Sequence, residues 1–287
     1  YYGIPYSNDM GRQVERERLD YPPLPLLEDE EVLEAQPDQA ALTERYVEQA
    51  VRFLREKKDG PFFLYFAHMY VHRPIYAPER FMKQAENGRY GAGVECVDWS
   101  VDVILAELKR LGIDDNTIVM FTSDNGSRTF GEGGSNDPLR GHKGETWDGG
   151  SRVPFIVRWP GKVPAGRESS ALHSSTDLLP TLVKLAGGEP PADRILDGAD
   201  QRDLWLGESE DSARESVAFW VLNRLMALRV GRWKLHVRRK GDGEGIEELI
   251  EHLSTLAELL ELKADPTGPA SGLVIEARQD PSRGTVV

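Results

Sequence analysis

A long helical stripe running straight into a short apolar strand is what most restricts the fold of this chain. Between Gly93 and Gly112, the residues Val94, Val97, Val101, Ile104, Leu105, Leu108 and Leu111 recur at helical spacing, and Gly112 suits a C-terminal cap. Asp114-Asp115-Asn116 then supplies turn chemistry. Thr117 to Thr122 follows as a β-branched and aromatic strand. The same alternation recurs on both sides. Asp38 is placed to cap a helix from about Gln39 to Lys58, with Leu42, Val47, Ala50, Val51 and Leu54 inward, and Asp59-Gly60 stops it. Pro61 to Ala67 has the continuous apolar character of a fully buried strand, and Val153 to Arg158 gives another. Ser174-Ser175-Thr176-Asp177 opens a helix carrying Leu178, Leu182, Leu185 and Ala186, closed by Gly187-Gly188. Helices alternating with strands predict an α/β fold, a mostly parallel sheet flanked by helices.

After about residue 213 the texture changes. Val217 to Val221, Leu225 to Val230 and Trp233 to Val237 are short strands with no helix between them, which predicts a small antiparallel subdomain. The expected division is therefore 1–213 and 214–287. Within the second part, Ile246 to Leu262 sets leucines and isoleucines on one face and glutamates on the other. Such a stripe packs on its own domain more often than on a partner. At the other end, residues 1 to 37 are rich in proline and acid, and Tyr21 to Leu26 favours extended backbone, as in a surface excursion. The tail from Thr267 is Gly/Pro/Ser-rich and is expected to fray.

Charge and cysteine content narrow the function. A formal net charge of −13 argues against a nucleic acid or an anionic membrane as partner. No apolar run is long enough to span a bilayer. The single cysteine, Cys96, excludes an internal disulfide and fits a small buried thiol on a helix.

The chemistry-bearing residues gather where strands end. Asp124 and Asn125 follow the strand that ends at Thr122, and ligands of open α/β sheets bind beyond the carboxyl ends of strands. A carboxylate beside an amide carbonyl offers two hard oxygen donors, suited to Ca²⁺ or Mg²⁺ and poor for Zn²⁺. Taken alone, Asp-Asn-Gly is equally a surface turn. His72 comes shortly after the 61–67 strand, with Pro74 ending regular structure, and an imidazole can hand a proton to a leaving oxygen near neutral pH. By itself such a histidine is more often structural, as His68 is expected to be. Lys143 lies between glycines in Gly141-His142-Lys143-Gly144, where backbone freedom permits close approach to an anion. Out of context it reads as a solvated charge.

These stretches do not stand alone. Phe121-Thr122-Ser123-Asp124-Asn125-Gly126 and Leu139-Arg140-Gly141-His142-Lys143-Gly144 resemble the sulfatase family, one branch of the alkaline-phosphatase-like superfamily. So do Tyr2 to Ser7, Pro61 to Phe66 with His72-Arg73-Pro74, Asp98 to Val101, Ser175 to Leu182, Leu196-Asp197-Gly198 and Gly231 to Lys234, in family order. The resemblance implies an incomplete alkaline-phosphatase-like fold and hydrolysis of a small-molecule or carbohydrate sulfate ester. It implies Asp124 and Asn125 as metal ligands, for Ca²⁺ ahead of Mg²⁺, His72 at the sulfate and leaving group, and Lys143 on the anion. Arg140 and Arg152 read as loop-ordering residues. Family members are commonly exported.

Departures from the family pattern matter as much. Sulfatases use a formylglycine made in a Cys-x-Pro-x-Arg (or Ser-x-Pro-x-Arg) motif, but Cys96 precedes Val97-Asp98-Trp99-Ser100. Tyr1 to Pro5 matches a stretch well inside family members. The expectation is a chain lacking its N-terminal portion, with the formylglycine, an Asp-Asp metal pair and any export signal upstream. Trp147-Asp148 stands where relatives have Tyr-Glu, leaving a shorter carboxylate. Two other readings remain open: a phosphoryl or phosphonyl hydrolase of the same superfamily, which would carry histidine in place of Asn125, and a non-catalytic interaction module.

Overall fold

A computed structural model describes residues 1–10, 22–236, 278–280 and 284–286. They fall into two compact units. The first comprises Tyr1–Thr122, Ser127–Asn136 and Phe155–Gly161; the second comprises Ser123–Gly126, Asp137–Pro154 and Lys162–Val287.

In the first unit, β1 (Tyr2–Gly3), β2 (Pro25–Glu28) and β3 (Glu31–Ala35) form an antiparallel sheet in that order. The proline-rich stretch is thus more than a surface excursion. Leu24 and Leu26 are both fully buried, because alternate residues of an extended chain face the same side. Asp38 accepts the Ala40 N–H at 3.0 Å and caps a 3₁₀ turn that leads into α1 (Leu42–Lys57), whose buried face is Leu42, Thr43, Tyr46, Val47, Ala50 and Leu54. Leu26, Leu42 and Tyr46 form one core cluster, with Phe66 and Met69 against it.

After α2 (Glu79–Gln84) comes α3 (Gly88–Arg110), longer at its start than the stripe suggested. Its buried line is Ala92, Gly93, Cys96, Ser100, Glu107 and Leu108, while Val94 is 46% exposed. Small residues rather than valines face inward because neighbours come close: a Cβ on Gly93 would sit 3.1 Å from both Ile75 and Val71. Cys96 is buried as expected, and burial pushes its thiol up to about 11. Gly112 (φ +72°) closes the helix. Its N–H donates to Lys109 and that of Ile113 to Leu108, the paired bonds of a Schellman cap.

β4 (Val119–Thr122) pairs antiparallel with β5 (Phe155–Arg158), Met120 opposite Val157. Every strand pair among the described residues is antiparallel, so the mostly parallel sheet expected from helix–strand alternation is not what these strands form. Nor is 61–67 a buried strand. It pairs with no strand among the described residues, and Phe63 and Tyr65 are 73% and 81% exposed. A ladder needs a neighbour, and apolar patterning carries no information about whether one is beside it.

The second unit carries α4 (Asp148–Ser151), α5 (Leu178–Leu185) and α6 (Arg202–Leu206). Ser174 and Asp177 form the capping box ahead of α5, and Gly187 (φ +81°) with Gly188 closes it as expected. β6 (Ser216–Val221), β7 (Arg224–Val230) and β8 (Trp233–His236) make the antiparallel meander read from the sequence. Within the tail expected to fray, β9 (Arg278–Asp280) and β10 (Gly284–Val286) pair. The 246–262 helix lies outside the described residues. No helix among those described is long and apolar enough to cross a membrane.

Candidate functional site

The second unit contains three of the four candidate residues, Asp124, Asn125 and Lys143. Asp124 and Asn125 lie just past the end of β4 in the chain. Asn125 Nδ2 donates to Asp124 Oδ2, and Ser123 Oγ donates to the Asn125 carbonyl at 3.1 Å. The side-chain amide is thereby turned with its own carbonyl oxygen away from that contact, while Asp124 Oδ1 accepts the Ser123 hydroxyl at 3.5 Å. Gly126 N–H donates to Gly150 O at 3.1 Å, which ties this loop to the one carrying Lys143.

That second loop is built around tight turns. His142 O accepts the Glu145 N–H at 3.0 Å, and Gly144 has φ +90°, so Lys143 occupies the first central position of a type II turn. Glu145 Oε2 accepts the His142 N–H at 3.1 Å. Gly149 donates to Arg140 O at 2.7 Å, and a Cβ on Gly149 would lie 2.3 Å from Gly141 O, so no larger residue fits. Lys143 is half-buried, and its ammonium has no hydrogen-bond or ion-pair partner among the described residues. A cation left unpaired in a rigid turn is available to an anion.

Strand β8 anchors the far end of this loop. Trp147 stacks on His236 with centroids 3.7 Å apart, and the Arg140 guanidinium lies 3.7 Å over the same indole. Arg140 thus packs against an indole of its own loop, a contact compatible with the loop-ordering role expected of it. Asp148 Oδ1 accepts from Lys234 Nζ at 2.8 Å. Burial disfavours both charges. For Asp148 the Lys234 ammonium outweighs it and holds the carboxyl below the ordinary range; for Lys234 burial prevails and the ammonium sits below its ordinary value. The shorter carboxylate at 148 still carries a charged hydrogen bond.

His72 belongs to the first unit. It is exposed, and its Nδ1 faces Asn8 Oδ1 at 3.2 Å. His68 is structural: its Nε2 meets Ser100 Oγ at 3.0 Å, and burial pushes the imidazole down to about 4. Next to His72, Arg73 and Pro74 border a cleft of about 490 Å³, otherwise lined by Ile75, Glu86, Asn87, Gly88, Arg89, Gly131, Glu132 and Gly133. Arg73 pairs with Glu132 at 2.8 Å, and Asn87 Nδ2 donates to Gly133 O at 2.8 Å. Its lining mixes charged side chains with glycine, proline and methylene surface.

Among the described residues there is no cluster of three His, Cys, Asp or Glu side chains suited to a metal. Asp124 and Asn125 match a hard divalent cation in donor type but supply two of the six to eight oxygens that calcium takes. They fit part of such a site. Asn8, Lys234 and His236 were not singled out from the sequence. Asn8 directly follows the Tyr2–Ser7 block, and Lys234 ends the Gly231–Lys234 block, so position beside a motif was the available signal.

The sulfatase family model matches residues 5–188. The chain is 39% identical over 218 residues to the steryl-sulfatase of Rattus norvegicus, covering 74% of this chain and 37% of that protein. It is 42% identical over 205 residues to the rat N-acetylgalactosamine-6-sulfatase, covering 69% and 38%. The chain thus spans less than two-fifths of the length of these relatives. Among solved structures, the PsFucS1 sulfatase from Pseudoalteromonas sp. superposes with a TM-score of 0.73 at 28% identity, over 82% of this chain and 53% of that one. Ps i-CgsB in complex with k-i-k-neocarrahexaose gives 0.67 at 26% identity, over 86% and 60%. The PsFucS1 sulfatase neighbour places the fold in the alkaline-phosphatase-like class.

Proposed function

The chain belongs to the sulfatase family, and from that premise we propose that it forms part of a sulfuric ester hydrolase. In this reading Asp124 and Asn125 hold a divalent cation, calcium ahead of magnesium, through two oxygen donors. When bound, the cation neutralises sulfate oxygens. Lys143 adds an ammonium to the same anion and stabilises charge that develops as the ester bond breaks. His72 gives a proton to the leaving oxygen. The formylglycine is expected on sequence outside this chain, since no Cys-x-Pro-x-Arg or Ser-x-Pro-x-Arg occurs in it. β4 and the extended 61–67 segment would then belong to a larger, mostly parallel sheet.

The observation that carries the reading is the Lys143 turn. An ammonium with no counter-ion among the described residues sits on a loop joined by the Gly126–Gly150 hydrogen bond to the adjacent oxygen donors. Asn125 in place of histidine favours a hard cation over the zinc expected of a phosphoryl hydrolase. The test uses the complete protein. Asn125→Ala should shift the chelator titration of sulfatase activity to lower chelator, and Lys143→Ala should lower kcat/KM by about 10²-fold or more. Unchanged activity in both variants refutes the assignment.

A further inference from the structure

We propose that Asn8 is a positioning residue that fixes the imidazole of His72 as the Nδ1–H tautomer and leaves Nε2 as the nitrogen that exchanges protons. The hydrogen-bond inventory around Asn8 leaves one solution. Its Nδ2 spends both hydrogens, one on Gln39 Oε1 at 3.1 Å and one on Pro74 O at 3.0 Å. The atom facing His72 Nδ1 at 3.2 Å is therefore the carbonyl oxygen Oδ1, which can only accept. Nδ1 must donate.

The orientation of Asn8 is itself locked. Gln39 Nε2 donates back to the main-chain carbonyl of Asn8 at 3.1 Å, and the main-chain carbonyl of Gln39 accepts the Tyr70 hydroxyl at 2.7 Å. Asn8 and Gln39 are each 1% exposed. Flipping the Asn8 amide would set Gln39 Oε1 and Pro74 O against an oxygen and leave both acceptors without their donor. The two buried amides thus work as a rigid bracket holding an exposed imidazole. The same contact to Pro74 O fixes the loop on which His72 sits. A histidine whose other ring nitrogen is held by a fixed acceptor keeps one orientation through a proton-transfer cycle.

The chemical consequence rests on the role proposed above for His72, but the tautomer does not. Nitrogen-15 correlation spectra of this chain above the histidine titration range, with the His72 signals identified in a His72→Gln variant, should report Nδ1–H for His72. Asn8→Ala should move that population towards Nε2–H, and Asn8→Asp, which keeps an acceptor oxygen, should retain Nδ1–H. An Nε2–H signal in the unsubstituted chain overturns the proposal whether or not the variants fold. In the complete protein, Asn8→Ala should lower kcat by more than about tenfold with little change in KM. It should cost nothing further in a His72→Ala background, because a group acting only through His72 has nothing left to position. An equal loss in both backgrounds marks a merely structural role and refutes positioning. If His72→Ala leaves kcat unchanged while the Nδ1–H signal stands, the sulfatase role of His72 fails and the bracket survives.

Discussion

Asp177 is the position at which local and long-range demands on one side chain can be separated by size. Its carboxylate closes the capping box with Ser174, accepting the Ser174 N–H at 2.8 Å. It also accepts the Ala199 N–H at 2.7 Å, Gln201 Nε2 at 3.2 Å and two nitrogens of Arg214, and Asp177 itself has zero exposure. Were it only a cap, Asp177→Ala would cost what Ser174→Ala costs, about 1 kcal/mol. Because it is also the counter-ion of Arg214, whose side chain is 12% exposed, removal strands a charge with little water to receive it. Breaking a buried pair from one side costs about 3–5 kcal/mol, which at this chain length lowers Tm by roughly 6–20 °C. The pH dependence has a definite sign. Burial raises the carboxyl of Asp177, but Arg214 and the backbone donors outweigh it and hold it below the ordinary range. Its contribution is fully present above an unfolded value of about 3.9 and is lost as pH falls through the lower folded value. Thermal unfolding followed by circular dichroism should therefore show a large loss for Asp177→Ala at neutral pH. It should also show a flatter acid limb for Asp177→Asn than for the unsubstituted chain. The double variant Asp177→Asn/Arg214→Leu should cost less than the sum of its parts. A loss in Asp177→Ala no larger than in Ser174→Ala, or strict additivity of the pair, refutes the hub.

Glu107 offers a second acid-limb test: Arg110 and Arg55 hold its carboxyl down to about 2, so stability should fall as pH drops from its ordinary range towards that value. Urea unfolding of Glu107→Gln should lack that part of the acid loss. Lys234→Met should cost about 1–3 kcal/mol in the same measurement, since Asp148 loses its partner but keeps Arg229 at 3.9 Å. The variant should also release Trp147 from its stack on His236, seen as a change in indole emission, and an unchanged spectrum refutes the anchoring of the loop by β8.

What was legible in the sequence was what a few neighbouring residues decide. Gly112 and Gly187 announce their helix ends because only glycine takes the left-handed conformation cheaply at that place, and both close Schellman caps. Asp38 and the Ser174–Asp177 box announce helix starts for the same local reason. The meander β6–β8 follows from short alternating runs with tight turns between them. What stayed hidden depends on partners far along the chain. The residues that pair with β4 lie more than thirty positions later in β5, antiparallel rather than parallel, and nothing in Thr117–Thr122 specifies that direction. The valine face of α3 looked like the buried one because periodicity weighs hydrophobicity, whereas close approach to Ile75 and Val71 selects small side chains. The candidate site divides along the same line. Asp124, Asn125, Lys143 and His72 were visible by their residue types and motif company. The side chains that orient them, Asn8 for the imidazole and Lys234 with His236 for the lysine loop, come from 64 and from about 90 positions away. Their chemistry is ordinary, and only proximity in the fold relates them to the candidate residues. Chemistry-bearing residues can therefore be nominated from a motif, whereas the bracket that sets their protons and orientation has to be read from the folded chain.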